Sequence, residues 1–130
     1  MRVLVFGTFD HFHQGHAFLL REAEKRGDVS VVVARDATAQ LIKGHPPDES
    51  QEQRLAGVKK AFPKAEVLLG DAEDYLVPVR QVKPDLILLG YDQALPPGVT
   101  MEDLPCPVER APAFKPETYK SSRIRKARKM

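Results

Sequence analysis

One cysteine, Cys106, stands alone in a chain of 130 residues, and tryptophan is absent. A lone cysteine excludes an internal disulfide, which fits a reducing compartment. No apolar run approaches the roughly 20 residues that a membrane-spanning helix requires. The first apolar run opens at Val3, so no cleaved signal is expected ahead of it. No internal repeat or low-complexity tract interrupts the chain. These gaps lead us to expect one cytoplasmic domain over residues 1–130, long enough for a real core and not associated with a membrane.

Net charge is also small, +2 over the whole chain, but it is unevenly placed. Residues 115–130 hold seven basic groups, Lys115, Lys120, Arg123, Arg125, Lys126, Arg128 and Lys129, against one acid, Glu117. The rest of the chain is therefore net negative. A basic end suits a phosphate-bearing ligand or nucleic acid. Single-strand binders interleave aromatic residues with basic ones for base stacking, and this tail does not, so nucleic acid is not expected as a partner. A solvated helix end would account for the charge without any ligand.

What is present is an alternation of apolar strands and helical patterns. Val3–Phe6, Val29–Ala34, Ala65–Leu69 and Asp85–Leu89 are continuous apolar runs, and Pro107–Arg110 offers a short fifth. A helix is expected from the end of the first loop to about Arg26, closed by Gly27. A short one runs from Arg35 to Lys43, where Gly44-His45-Pro46-Pro47 breaks it. Ser50 and Gln53 form a capping box ahead of a helix over 51–62. Residues 73–83 read as a helix in which Pro78 demands a kink or a late start. Ser121 or Ser122 would cap a last helix toward Arg128. Unbroken apolar strands alternating with helices make a parallel sheet covered on both faces. The expected fold class is α/β: a single Rossmann-like domain, roughly five-stranded, with strand one central. Ligands in such sheets bind beyond the carboxyl ends of the strands, where the loops after strands one, two and four can converge.

The first of those loops carries the most chemistry. It reads Gly7-Thr8-Phe9-Asp10-His11-Phe12-His13-Gln14-Gly15-His16. Gly7 allows a tight turn, and Gly15 leaves room between the imidazoles for a ligand to approach the backbone. His13 and His16 sit at i and i+3 where a strand gives way to a helix, a junction whose free N–H groups and dipole favour anions. Two imidazoles with amide donors suit a phosphoryl group whose charge grows in a transition state. A phosphate monoester nucleophile, with a second pKa of about 6, is largely dianionic at neutral pH and needs no general base. His13 and His16 therefore read as charge stabilisers of phosphoryl transfer. A structural histidine pair is the plain alternative. A zinc site from His11, His13 and His16 is another, though no cysteine joins them.

Other loops add partners. Lys43 can neutralise a phosphate, and Arg54, in the first turn of its helix, can grip an acceptor phosphate. Tyr91 can stack on a ring, and Asp92 can accept from a ribose hydroxyl or a base amino group. Tyr119 to Arg125 combine hydroxyls, cations and helix N–H groups in a second phosphate cradle. At each position an ordinary solvated residue is the bland alternative.

The ten-residue loop pattern resembles the first signature of the small nucleotidyltransferases, the cytidylyltransferase-like group. Ser121-Ser122-x-Ile124-Arg125 resembles their second, so the likeness runs from Val3 to Arg125. Class I aminoacyl-tRNA synthetases share His-x-Gly-His, but this chain is too short for one. Within the group, Val33-Ala34-Arg35-Asp36 with Lys43-Gly44, Leu89-Gly90-Tyr91-Asp92-Gln93, and Lys115-Pro116 with Tyr119-Lys120-Ser121-Ser122 look most like archaeal-type FAD synthetases. Those enzymes transfer AMP from ATP to FMN and release pyrophosphate. Glycerol-3-phosphate cytidylyltransferase is the alternative, but it usually shows Arg-Thr and Ile-Ser-Thr-Thr near its C-terminus, where this chain departs.

The resemblance implies catalytic roles for His13, His16, Lys43 and Arg125. It places Gly7, Thr8, Phe9, Asp10, Gly15, Gly90, Tyr91, Asp92, Tyr119, Ser121 and Ser122, with both histidines, around the nucleotide. It places Asp10, Lys43, Arg54, Gln93 and Lys120 around the acceptor. It implies Mg²⁺ or another divalent cation, held by phosphate oxygens and water rather than by protein side chains. ATP is favoured over CTP, FMN as acceptor, and a homodimer as the assembly. A nucleotide-sensing protein that keeps the fold without catalysis is the non-enzymatic alternative; the intact histidines, Lys43 and the serine pair speak against it.

Overall fold

Strands and helices alternate through this computed structural model, which describes residues 1–113 apart from Ala72, Asp92 and Pro97. In chain order they are β1 (Arg2–Gly7), α1 (Gln14–Glu24), β2 (Asp28–Val33), α2 (Asp36–Lys43), α3 (Gln51–Ala61), β3 (Glu66–Leu69), α4 (Val77–Val82), β4 (Leu86–Leu89) and β5 (Val108–Arg110). A 3₁₀ turn, Met101–Asp103, interrupts the long loop before β5. Every strand pair is parallel, and the sheet order is β3-β2-β1-β4-β5. The chain moves outward from β1 in one direction through β2 and β3, then returns to β4 on the other side. The carboxyl end of β1 is thus the switch point at which a crevice opens.

Side-chain alternation explains why each strand is apolar throughout. Val3 and Val5 join Val31, Val33 and Leu88 on one face of the sheet, under Leu20 and Ala23 of α1, Val58 of α3 and Phe62 just after it. Leu4 and Phe6 join Val32, Ile87 and Leu89 on the other, under Val79 and Val82 of α4. Both faces are buried, so the period of two is hidden inside continuous hydrophobic runs. The α/β class, the five parallel strands, the central β1 and the helices on both faces all match the expectation.

Boundaries differ where local geometry intervenes. Helix α1 stops at Glu24 rather than near Arg26, because the N–H groups of Arg26 and Gly27 both turn back to the Ala23 carbonyl. Helix α4 takes the late start: Pro78 lies in its first turn, where its missing N–H costs nothing. The capping box of α3 is reciprocal, Gln53 N–H donating to Ser50 Oγ at 3.2 Å and Ser50 N–H to Gln53 Oε1 at 2.9 Å. Helix α2 ends at Gly44, whose φ of 84° is the left-handed stop expected of glycine. The helix expected after Ser121 lies outside the described residues. No helix among the described residues is long and apolar enough to cross a membrane.

Candidate active site

The start of α1 is capped by its own histidines. His13 is the N-cap, and its Nδ1 accepts the Gly15 N–H at 3.1 Å. His16, three residues on, accepts the His13 N–H on its own Nδ1 at 3.3 Å. Serine, threonine or aspartate usually fills such a cap, so the imidazoles do structural work and are locked by it. The two rings stack with centroids 3.8 Å apart. Since each Nδ1 accepts, the neutral rings carry their protons on Nε2, on the far side from the cap. Gly15 keeps this stack uncrowded: a Cβ there would lie 3.0 Å from His13 Cε1, so the ring would have to give way slightly.

His16 is also flanked by Phe9 and Phe12, at centroid distances of 5.2 and 5.4 Å. Burial among these rings, then the neighbouring His13 and the Lys43 charge, push its pKa down to about 4. At neutral pH it is an uncharged donor. Lys43, at the end of α2, lies within electrostatic reach of His16.

The loop between β1 and α1 is strained. Phe9 and His11 hold φ values of 57° and 50°, the left-handed region that non-glycine residues avoid. Gly7 is needed here for space: a Cβ on it would meet the Phe9 ring at 2.6 Å. Phe9 reaches the cleft, but its ring is a core side chain, 2% exposed, so it does not stack on a nucleotide. The strained loop is strapped to the loop before α3. The Asp10 carboxylate accepts the Asp48 and Glu49 N–H groups at 2.9 and 3.0 Å, which holds its pKa below the usual carboxylate value. His11 N–H donates to Glu49 Oε1, and its ring pairs with Asp48 at 2.8 Å. The three-histidine zinc alternative is not assembled, because the His11 ring is engaged with Asp48 while His13 and His16 stack on each other.

Arg54 requires a correction. It is 0% exposed, neither gripping an acceptor phosphate nor solvated on a helix face. Its guanidinium donates to the carbonyls of Glu49, Thr8 and Ala34 and to Asp36 Oδ1, at 2.7 to 3.1 Å. It therefore joins the ends of β1 and β2 to the start of α2. Gln93 is likewise turned inward: its Nε2 donates to the Phe6 carbonyl and its Oε1 accepts the Gly90 N–H, both at 2.9 Å. That amide ties β4's loop to β1 rather than reaching for an acceptor. Arg110, which carried no sequence signal, holds the same loop by donating to the carbonyls of Gly90, Tyr91 and Gln93.

These loops enclose a cleft of about 1060 Å³ at the carboxyl edge of the sheet. That is at the upper end of the usual range for a ligand site, roughly 300–1,000 Å³. Gly7, Thr8, Asp10, His13, Gly15, His16, Lys43, Gly90, Tyr91 and Gln93 all line it. So do Leu41 and Ile42 of α2, which no motif in the sequence marks. Asp92, Lys115, Tyr119, Lys120, Ser121, Ser122 and Arg125 lie outside the described residues.

A model of the Cytidylyltransferase-like family matches residues 4–127. The chain belongs to the cytidylyltransferase-like family. It is 42% identical over 105 residues to the FAD synthase of Methanosphaerula palustris, covering 79% of this chain and 67% of that one. With the FAD synthase of Natronomonas pharaonis the identity is 39% over 118 residues, covering 86% and 83%. Against several such archaeal relatives this family member spans only 60–67% of their length. Among solved structures, the lipopolysaccharide core biosynthesis protein of Thermoplasma volcanium superposes with a TM-score of 0.78 at 33% identity, covering 88% of this chain and 98% of that one.

Proposed function

We propose that the protein is an FMN adenylyltransferase, making FAD and pyrophosphate from ATP and FMN. The reading is supported by its family and by relatives named FAD synthase. The observation that carries the chemistry is the histidine cap. Both Nδ1 atoms are occupied by backbone N–H groups, so both Nε2–H groups are fixed donors beside Lys43 in one cleft.

The FMN phosphate, mostly dianionic near neutral pH with a second pKa of about 6, supplies an oxygen that attacks the α-phosphorus of ATP. The new P–O bond forms as the α–β anhydride bond breaks, and the electron pair leaves on pyrophosphate. No proton needs removing from the nucleophile. Charge grows on the non-bridging and leaving oxygens, and the Nε2–H groups and Lys43 oppose it there. A neutral His16 keeps its donor proton throughout. On the family pattern alone, Arg125 is assigned to neutralising the reacting phosphates from the side and the Ser121-Ser122 backbone to holding the β- and γ-phosphates.

Magnesium fits this cleft as a passenger of the nucleotide. The carboxylate that lines the cleft beside the histidines, Asp10, already accepts two N–H groups, and the neighbouring side chains are imidazoles and an ammonium rather than hard oxygen ligands. A divalent cation would keep phosphate and water ligands and supply charge neutralisation, with Asp10 the carboxylate that would help to hold it. The cluster of Asp10, His11 and Asp48 is less suited, since neither His11 nor Asp48 lines the cleft. The proposed setting is the cytoplasm, and the proposed assembly a homodimer, checked by light scattering.

Incubation with Mg²⁺, ATP and FMN should yield FAD and pyrophosphate. Brisk CDP-glycerol formation from CTP and glycerol 3-phosphate, with no flavin turnover, would overturn the assignment.

A further inference from the structure

Large apolar side chains at the surface are few among the described residues, and most of them share one cleft. Met1, Leu41, Ile42, Tyr91 and Met101 are exposed among the described residues, and three of these five, Leu41, Ile42 and Tyr91, line the cleft. Helix α2 explains the first two. It buries a single residue, Ala39, and turns Thr38, Leu41 and Ile42 to the cleft at i, i+3 and i+4. Leu41 and Ile42 remain 69% and 47% exposed there. Adjacent aliphatic side chains left open to water in a cleft mark a surface that something apolar covers.

The same helix fixes the polarity of the occupant. Lys43 follows Ile42 directly, lines the same cleft, and acts electrostatically on His16. From Thr38 to Lys43 the helix rises about 7.5 Å. Leu41 and Ile42 precede Lys43 by only two residues and one, so a ligand over the end of α2 would meet an apolar surface with a cation beside it. A flat apolar ring joined by a polyol to a phosphate monoester has both of those parts. A small polyol phosphate would leave that surface uncovered.

Resting on the FMN reading above, we propose that Thr38, Leu41 and Ile42 form the seat of the acceptor's isoalloxazine ring, with its phosphate directed to Lys43 and the histidines. Leu41 and Ile42 then determine acceptor specificity, and α2 is the acceptor side of the cleft.

The test uses the whole chain, FMN, and ribitol 5-phosphate, which has the tail without the ring. Leu41→Gln and Ile42→Gln keep good helix formers at exposed positions, so melting temperatures serve as a fold control. In titrations of FMN fluorescence, each substitution should weaken FMN binding by about tenfold, and the pair by roughly a hundredfold. The inhibition constant of ribitol 5-phosphate against FAD formation should not change. If the wild type makes FAD and the variants bind FMN equally well, the ring lies elsewhere; the seat is refuted and the adenylyltransferase reading stands. If FMN and ribitol 5-phosphate weaken together, the substitutions act on the phosphate end and the seat is again refuted. A variant that changes only the oligomeric state in size-exclusion chromatography marks a self-association surface, which refutes the seat as well. If the wild type neither quenches FMN nor makes FAD, the function assignment falls and the seat with it.

Discussion

Two walls of the cleft are each tied to β1 by one polar side chain, and the two ties differ in kind. On the α2 side the tie is Arg54, a cation 0% exposed with four hydrogen bonds to Thr8, Ala34, Glu49 and Asp36. On the β4 side it is Gln93, a neutral amide on Phe6 and Gly90, backed by the exposed Arg110. Water can replace a half-buried amide. It cannot replace a buried guanidinium whose partners are carbonyls at the ends of two core strands. One wall is therefore set by folding itself, while the other can adjust to its ligand at little cost to stability.

Removing Arg54 should have the largest effect. Arg54→Met leaves three carbonyls and the Asp36 carboxylate without their donor, and the loss should reach about 3–5 kcal/mol, read by urea unfolding. Arg54→Lys should recover only part, since one ammonium cannot span all four acceptors. Unchanged stability with a raised KM for the phosphate acceptor would restore the acceptor role and break the comparison.

His16 stands where the two walls meet. His16→Ala removes an Nε2–H donor and should lower kcat by roughly 10²–10³ with little change in KM. Steady-state kinetics with ATP and FMN measure both. A raised KM at constant kcat would make the ring a ground-state binder.

On the adjustable wall, Gln93→Ala should cost only about 1 kcal/mol in stability. Its consequence is expected in the nucleotide KM, which should rise by a few fold as the loop bearing Tyr91 loses its tie to Phe6. A loss of stability comparable to that of Arg54→Met would erase the contrast between the walls.

The sequence made one half of this architecture readable and hid the other. The parallel strands, the central place of β1 and the meeting of His13 with His16 were legible because apolar runs fix which segments become strands and a ten-residue pattern fixes the junction. The Ser50–Gln53 cap was legible because its chemistry is local. Arg54 was not: its partners are 5 to 46 residues away, and an arginine behind a capping box looks solvated until β1, β2 and α2 converge on it. Phe9 was only half legible for a related reason. Its position in the signature suggested ligand contact, and it does line the cleft, while its ring packs in the core over Gly7. Gln93 looked like a recognition residue because its loop was correctly placed, while its amide's direction depends on the Phe6 carbonyl.

The smallest expected effect is on the pH dependence of stability, and it tests whether the shared corner of both walls is neutral. Burial first, then His13 and Lys43, hold the folded pKa of His16 at about 4, against about 6.5 in the unfolded chain. Between those values the unfolded chain binds a proton that the folded chain does not, so stability falls as pH drops from about 6.5 toward about 4. His11 works in the opposite sense. The Asp48 hydrogen bond raises its pKa, giving stability that is present below its ordinary value and fades as pH rises through the folded one. Its side chain is 64% exposed, so that contribution is small. Carboxylates such as Asp10 and Asp74, whose pKa values are lowered, also lose stabilising interactions in acid. Comparison with His16→Gln isolates the histidine from these. In unfolding measured at pH 7 and pH 5, the variant should lose less stability on acidification than the wild type. Equal losses would mean that His16 takes up a proton in the folded state as readily as in the unfolded one. The ring would then act on phosphate as a cation, and its packing against Phe9 and Phe12 would not be what sets its charge.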